Sequence, residues 1–196
     1  MYAPKVRYNG VNHIALATRD IDKTIRFWRD LLGMRMIVGI GRPGYRHYFF
    51  QVSDCCTVAF FEWKDVEPAA EKEHGRPVRG PFIFDHVSFG VEAKDDLWAM
   101  KQKLDAAGLW VSEVVDHGFI LSIYSFDPNG IPLEFSWNVE GIDPRKTPLM
   151  ADRNPTAVAL EGPEPRPEHW PLLAELESDR KVYPGEGSRY FDDWQT

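Results

Sequence analysis

Apolar and polar positions alternate with a period of two from Gly10 to Ala17, so Val11, His13, Ala15 and Ala17 share one face and Asn12, Ile14 and Leu16 the other. That stretch predicts a strand whose Ile14 and Leu16 can pack under a helix. Asp20 is placed to cap such a helix, Ile21, Ile25, Trp28 and Leu32 recur at helical spacing, and Gly33 stands where a C-terminal glycine belongs. Three strands then follow: Arg35 to Ile40, Tyr45 to Val52 beyond the Gly41-Arg42-Pro43-Gly44 turn, and Thr57 to Trp63 after Ser53-Asp54-Cys55-Cys56.

Residues 64–80 break the periodicity with Pro68, Gly75, Pro77 and Gly80 and read as a linker. The pattern then starts again. Phe82 to Val91 is a strand with His86, Ser88 and Gly90 on one face; Leu97, Met100, Leu104 and Ala107 form a helical stripe ended by Gly108. Trp110 to Val115, Phe119 to Phe126 and Ile131 to Trp137 complete the second unit, with Asp127-Pro128-Asn129-Gly130 reversing the chain between the last two. The expectation is an α+β protein: a βαβββ module over 1–63, a linker over 64–80, a second βαβββ module over 81–140, and an irregular C-terminal extension over 141–196. Paired mixed sheets would form one metal-binding concavity. The extension is rich in Pro and charge, yet it holds Trp170, Tyr183, Tyr190, Phe191 and Trp194, too much aromatic surface for a free tail, and is expected to wrap the modules or a second subunit.

Composition narrows the partners. With 43% hydrophobic residues in 196 the chain can bury a core, and a net charge of −7 without a basic run speaks against nucleic acid or an anionic membrane. No apolar run reaches membrane-spanning length, so a cytoplasmic protein with a small-molecule ligand is expected, its association state open with a homodimer among the options. Cys55 and Cys56 are adjacent and have no distant partner for a disulfide.

The candidate chemistry lies on the less apolar faces. His13 and His86 occupy matching places in the two opening strands, flanked by small residues that leave room for a ligand, and period-two alternation sets Glu134 on the less apolar face of the last strand. A mid-strand carboxylate asks for a cation opposite. If the modules enclose one concavity, His13, His86 and Glu134 converge as two imidazoles and one carboxylate with open positions, the ligand set of a non-haem Fe(II) site that Mn(II) or Zn(II) can also use.

The duplicated βαβββ pattern from Gly10 to Trp137 resembles the vicinal oxygen chelate superfamily, which includes glyoxalase I, bleomycin- and fosfomycin-resistance proteins, methylmalonyl-CoA epimerase and extradiol dioxygenases. Val115, His117, Ile123-Tyr124, Asp127-Pro128, Gly130 and Glu134 resemble the extradiol signature in type and spacing. That resemblance implies His13, His86 and Glu134 as iron ligands, with His117 and Tyr124 bonding a catecholate substrate or O₂, and a dioxygenase acting on a small catechol-like or chelating aromatic. The first module departs from the glyoxalase pattern in one respect and from the extradiol pattern in another. Aligning Phe60 with Glu134 leaves no fourth glyoxalase-type ligand and keeps Glu62, one rung on, in reserve, although a one-residue slip would turn Glu62 out of the pocket. Cys56 stands where extradiol enzymes carry an acid-base His, and a thiol is the poorer shuttle near neutrality; His47 is the substitute if it points inward, although its hairpin position reads as exposed. The rival readings are a glyoxalase- or epimerase-like metal-dependent lyase or isomerase, and a metal-free binding protein of the drug-resistance kind.

Overall fold

The computed structural model describes residues 9–70, 74–77, 84–148, 151–166, 169, 181–185 and 188. One compact unit spans Gly10–Asp143 and holds both modules; Met1–Asn9 and Pro144–Thr196 form another. In the first module β1 (His13–Thr18), α1 (Ile21–Ile25), β2 (Met36–Arg42), β3 (Tyr45–Gln51) and β4 (Thr57–Glu62) give a four-stranded sheet in the order β1-β4-β3-β2. The second repeats it with β5 (Val87–Gly90), α2 (Lys94–Ala106), β6 (Val115–Asp116), β7 (Ile120–Phe126) and β8 (Pro132–Asn138), in the order β5-β8-β7-β6. In each sheet the first strand runs parallel to the last and the remaining pairs are antiparallel.

Local signals set the helices. Asp20 Oδ1 accepts from the Lys23 N–H at 3.0 Å, capping α1 as its position predicts. The chain then widens into a π-helical stretch, Arg26–Leu31, with Leu32 N–H bonding the Phe27 carbonyl, and buries both Phe27 and Trp28. At α2 the Asp96 carboxylate reaches back to the Ala93 N–H at 2.9 Å. The strand expected from Trp110 to Val115 shrinks to a two-residue β6 and a single bridge between Val111 and Ser125. Ser112 is the cause: its Oγ takes the Tyr124 N–H at 2.9 Å, so a side chain replaces the backbone carbonyl that a ladder would use.

The helix-facing sides of both sheets share one core, built from Ile21, Phe27, Trp28, Leu32, Leu97 and Leu104 with Phe50, Val58, Phe60, Phe89, Leu133 and Phe135 of the strands. Trp28 is fully buried between the sheets, its ring 5.3 Å from Phe60 and 5.7 Å from Phe89. Because the two sheets meet through these sides, their other faces look away from the common core. The chain therefore presents two outer faces, with His13 on one and Glu134 on the other, where a single concavity over both sheets was expected.

The Asp127-Pro-Asn-Gly turn fastens this arrangement. Asp127 accepts from the N–H groups of Asn129 and Ile131, from Asn129 Nδ2 and, across the core, from Trp28 Nε1; Thr18 Oγ1 donates to Asn129 Oδ1 at 2.6 Å. Gly130 has φ +74°, and a Cβ there would run into the Ala69 carbonyl, so glycine is required twice over.

In the other unit, Ala159–Glu161 makes a 3₁₀ turn, while Val158, Leu160, Val182 and Tyr183 are exposed. The tail aromatics Trp170, Tyr190, Phe191 and Trp194 and the expected amphipathic piece at 172–176 lie outside the described residues. Among the described residues no helix is long and apolar enough to cross a membrane.

Candidate metal centre

Glu134 occupies the middle of β8, opposite Ser88 of β5 and Tyr124 of β7, and is 4% exposed. His86 comes immediately before β5. Its Nδ1 lies 2.6 Å from Asp85 Oδ1 and its Nε2 3.1 Å from Glu134 Oε2. Tyr124 donates its hydroxyl proton to Glu134 Oε1 at 3.2 Å, which leaves the Tyr124 hydroxyl oxygen to accept from His117 Nε2 at 2.9 Å. A continuous chain results: Asp85, His86, Glu134, Tyr124, His117. His117 is delivered by the tight connection between β6 and β7, where Gly118 at φ +84° gives its N–H to Asp116.

Burial alone would raise the Glu134 pKa, but the hydroxyl dipoles of Ser122 and Ser88, then His86 and Tyr124, outweigh it and hold the carboxyl below its ordinary value. Glu134 is thus an anion at neutral pH. Tyr124 moves the other way: burial first, and then the Glu134 charge, push it up to about 12, so it stays a phenol and a donor.

The residues fit a metal on their own chemistry. Carboxylates face both nitrogens of His86, and a neutral imidazole can donate to only one. The shorter contact assigns the N–H to Asp85, which turns the Nε2 lone pair toward the Glu134 anion. Nε2 and Glu134 Oε2 at 3.1 Å then share one cation, either a proton that makes His86 an imidazolium or a metal ion in its place, and an imidazole backed by a carboxylate is the usual support for a metal-binding nitrogen.

His13 does not join this pair within the chain. It is exposed, bonded through Nδ1 to Asn12 Oδ1, and lies edge-on to Phe49 on the outer face of the first sheet. Among the described residues no three His, Cys, Asp or Glu side chains gather closely enough to hold a metal ion. Of the residues singled out in the sequence, the structure brings together His86, Glu134, Tyr124 and His117.

Three details revise the reading of the first module. Pairing of Ala15 with Ala59 matches that of Ser88 with Glu134, so Ala59, and not Phe60, stands at the fourth-ligand place. The slip carries Glu62 to the helix side, where it pairs with Arg46 and accepts from the Ile21 N–H at 3.2 Å. The Cys56 thiol is pushed up by burial, which suits it less still to proton transfer near neutrality. His47, expected as an exposed hairpin residue, is 4% exposed on the same face as His13, stacked on Phe61 at 3.6 Å and held below its ordinary pKa by burial and by the nearby His13.

One residue was missed altogether. His74, within the stretch read as linker, has its ring 4.5 Å from Tyr124, 5.3 Å from Phe126 and 5.8 Å from His86. No local signal could find it, since its neighbours come from distant strands.

Comparison with known proteins agrees with the fold. The profile of the Glyoxalase/Bleomycin resistance protein/Dioxygenase superfamily matches residues 10–135, and the chain belongs to that superfamily. Its members typically bind divalent metal ions. The lactoylglutathione lyase of Haemophilus influenzae is 29% identical over 140 residues, covering 64% of this chain and 90% of the lyase. An iron-dependent extradiol dioxygenase of Rhodococcus jostii is 27% identical over 170 residues, but the chain spans only 50% of that enzyme's length. In structure, a glyoxylase/bleomycin resistance protein/dioxygenase domain from Frankia sp. EAN1pec superposes with a TM-score of 0.57 at 23% identity, covering 69% of this chain and 96% of that one.

Proposed function

We propose that this chain is a divalent-metal-dependent lyase or isomerase of the glyoxalase or epimerase type, acting on a small substrate that offers two neighbouring oxygens. The observation that carries the reading is the Asp85-His86-Glu134-Tyr124 array, an anion and an aimed imidazole on one half-open face. His86 and Glu134 would hold the ion, and His13 of a second copy would complete the set. Since the outer faces of the two sheets look away from the shared core, two copies meeting first sheet to second sheet about a two-fold axis would form two equivalent sites.

A bound divalent ion would draw electron density from the substrate's two oxygens and acidify the adjoining C–H. Proton handling falls to Glu134, because Glu62 is committed to Arg46 and the start of α1. The Tyr124 hydroxyl on Oε1 keeps the carboxylate aimed while Oε2 is in use, and His117 holds the Tyr124 oxygen in turn.

An extradiol-type dioxygenase binding O₂ beside a catecholic substrate at Fe(II) is the second reading, favoured by one observation: buried His47 shares the face of His13 and could serve where Cys56 cannot. Protein loaded anaerobically with Ni(II), Zn(II), Mn(II) or Fe(II) separates the two. The lyase or isomerase reading expects turnover of a hemithioacetal or epimerisation of an α-substituted thioester, with no oxygen uptake. Oxygen consumption with a catechol and Fe(II) alone would overturn it in favour of the dioxygenase.

A further inference from the structure

We propose that His74 is a positioning residue of the His86–Glu134 site, fixing the Tyr124 ring by contact and His86 through a shared carboxylate. The inference rests on the metal-site reading above and concerns residues that reading does not use. The imidazole of His74 packs on Tyr124 at a centroid distance of 4.5 Å and lies parallel, within 12°, to Trp110 at 6.4 Å, with Phe126 beside it at 5.3 Å. These contacts place it against the ring that donates to Glu134. The neighbouring Gly75 then gives its backbone N–H to Asp85 Oδ1 at 3.1 Å, the same oxygen that lies 2.6 Å from His86 Nδ1.

The consequence is geometric. Asp85 is only half-shielded, and a carboxylate at the surface samples several rotamers unless a second donor holds it. Gly75 supplies one such donor, at φ +67°, a backbone conformation that glycine adopts without strain. One end of the 74–75 dipeptide therefore restrains Tyr124 and the other restrains Asp85, and both restraints act on the two side chains offered to the ion. What His74 contributes to Tyr124, Phe126 and Trp110 is a flat ring of the right size.

The ring is what the test varies. His74→Ala and His74→Phe are prepared in the full-length chain, with circular dichroism and thermal melting to show that each is folded. The ¹⁵N and ¹H signals of His86 are followed in metal-free protein, and Co(II) alone is then titrated with its visible absorption as readout. His74→Ala should lose the hydrogen-bonded His86 Nδ1 proton signal and bind Co(II) some 10- to 100-fold more weakly, the usual penalty for loosening an outer-sphere support. His74→Phe should keep the proton signal and bind Co(II) within roughly threefold of wild type, because the packing survives. A His86 signal unchanged in folded His74→Ala would overturn the proposal, as would a His74→Phe protein as impaired as the alanine variant. Should wild-type protein bind no Co(II) while its His86 signal still depends on His74, positioning stands and the metal-site reading falls.

Discussion

At the scale of single residues, the centre is a set of acceptors and donors whose roles are fixed by counting protons. Tyr124 has one proton and gives it to Glu134, so removing the hydroxyl should unlatch the carboxylate without removing a ligand. Tyr124→Phe is expected to keep its metal and lose roughly 10- to 100-fold in turnover; unchanged kcat with lowered stability would mean that the ring merely packs. His47 offers a pH test. Its folded-state pKa lies below the ordinary value, through burial and then the charge of His13, so the unfolded chain takes up the proton first as pH falls. Stability from this group is complete above about 6.5 and is lost as pH drops from there toward the folded-state value. Urea midpoints at pH 8 and 5.5 should therefore differ more for wild type than for His47→Phe, and equal differences would rule out the titration. The burial of His47 was not legible in the sequence, where a hairpin position reads as exposed; the stacking on Phe61 that hides it is a cross-strand contact.

At the scale of elements, alternation and helical spacing were enough to find six strands and both helices close to their observed places. They failed where a side chain competed with the backbone, as Ser112 does, where the strand expected from Phe82 keeps, among the described residues, only Val87–Gly90, and where one residue of register decided a face. The Phe60-to-Glu134 alignment looked natural because both precede an aromatic. Pairing with β1 shifts it by one, which sets Ala59 instead of Phe60 at the ligand place and turns Glu62 to the helix side. The Asp127-Pro-Asn-Gly stretch was legible as a turn and as part of a signature, but its partner Trp28 was not, since 99 residues separate them. Asp127 is 5% exposed and serves four N–H donors, two of them backbone. Asp127→Ala should cost at least about 3 kcal/mol, as buried donors left unpaired lose about 1–3 kcal/mol each. Chemical denaturation measures this directly, and a loss under 1 kcal/mol would show that water or a rearranged turn replaces the carboxylate.

At the scale of the whole molecule, the sequence named three candidate ligands but not how they could meet. Matching places in a repeat say that His13 and His86 are equivalent; they do not say whether the two sheets face each other or stand back to back. Trp28 and the shared core direct the outer faces apart, so the proposed set of His13, His86 and Glu134 would take two chains. Metal complementation puts this to the test most directly. His13→Ala and Glu134→Ala proteins should each bind little metal, whereas mixed and refolded together they should regain about a quarter of wild-type sites, since half the dimers are mixed and each mixed dimer has one intact site of two. Failure of the mixture to regain any metal, with dimers present, would contradict a site shared between copies of this chain.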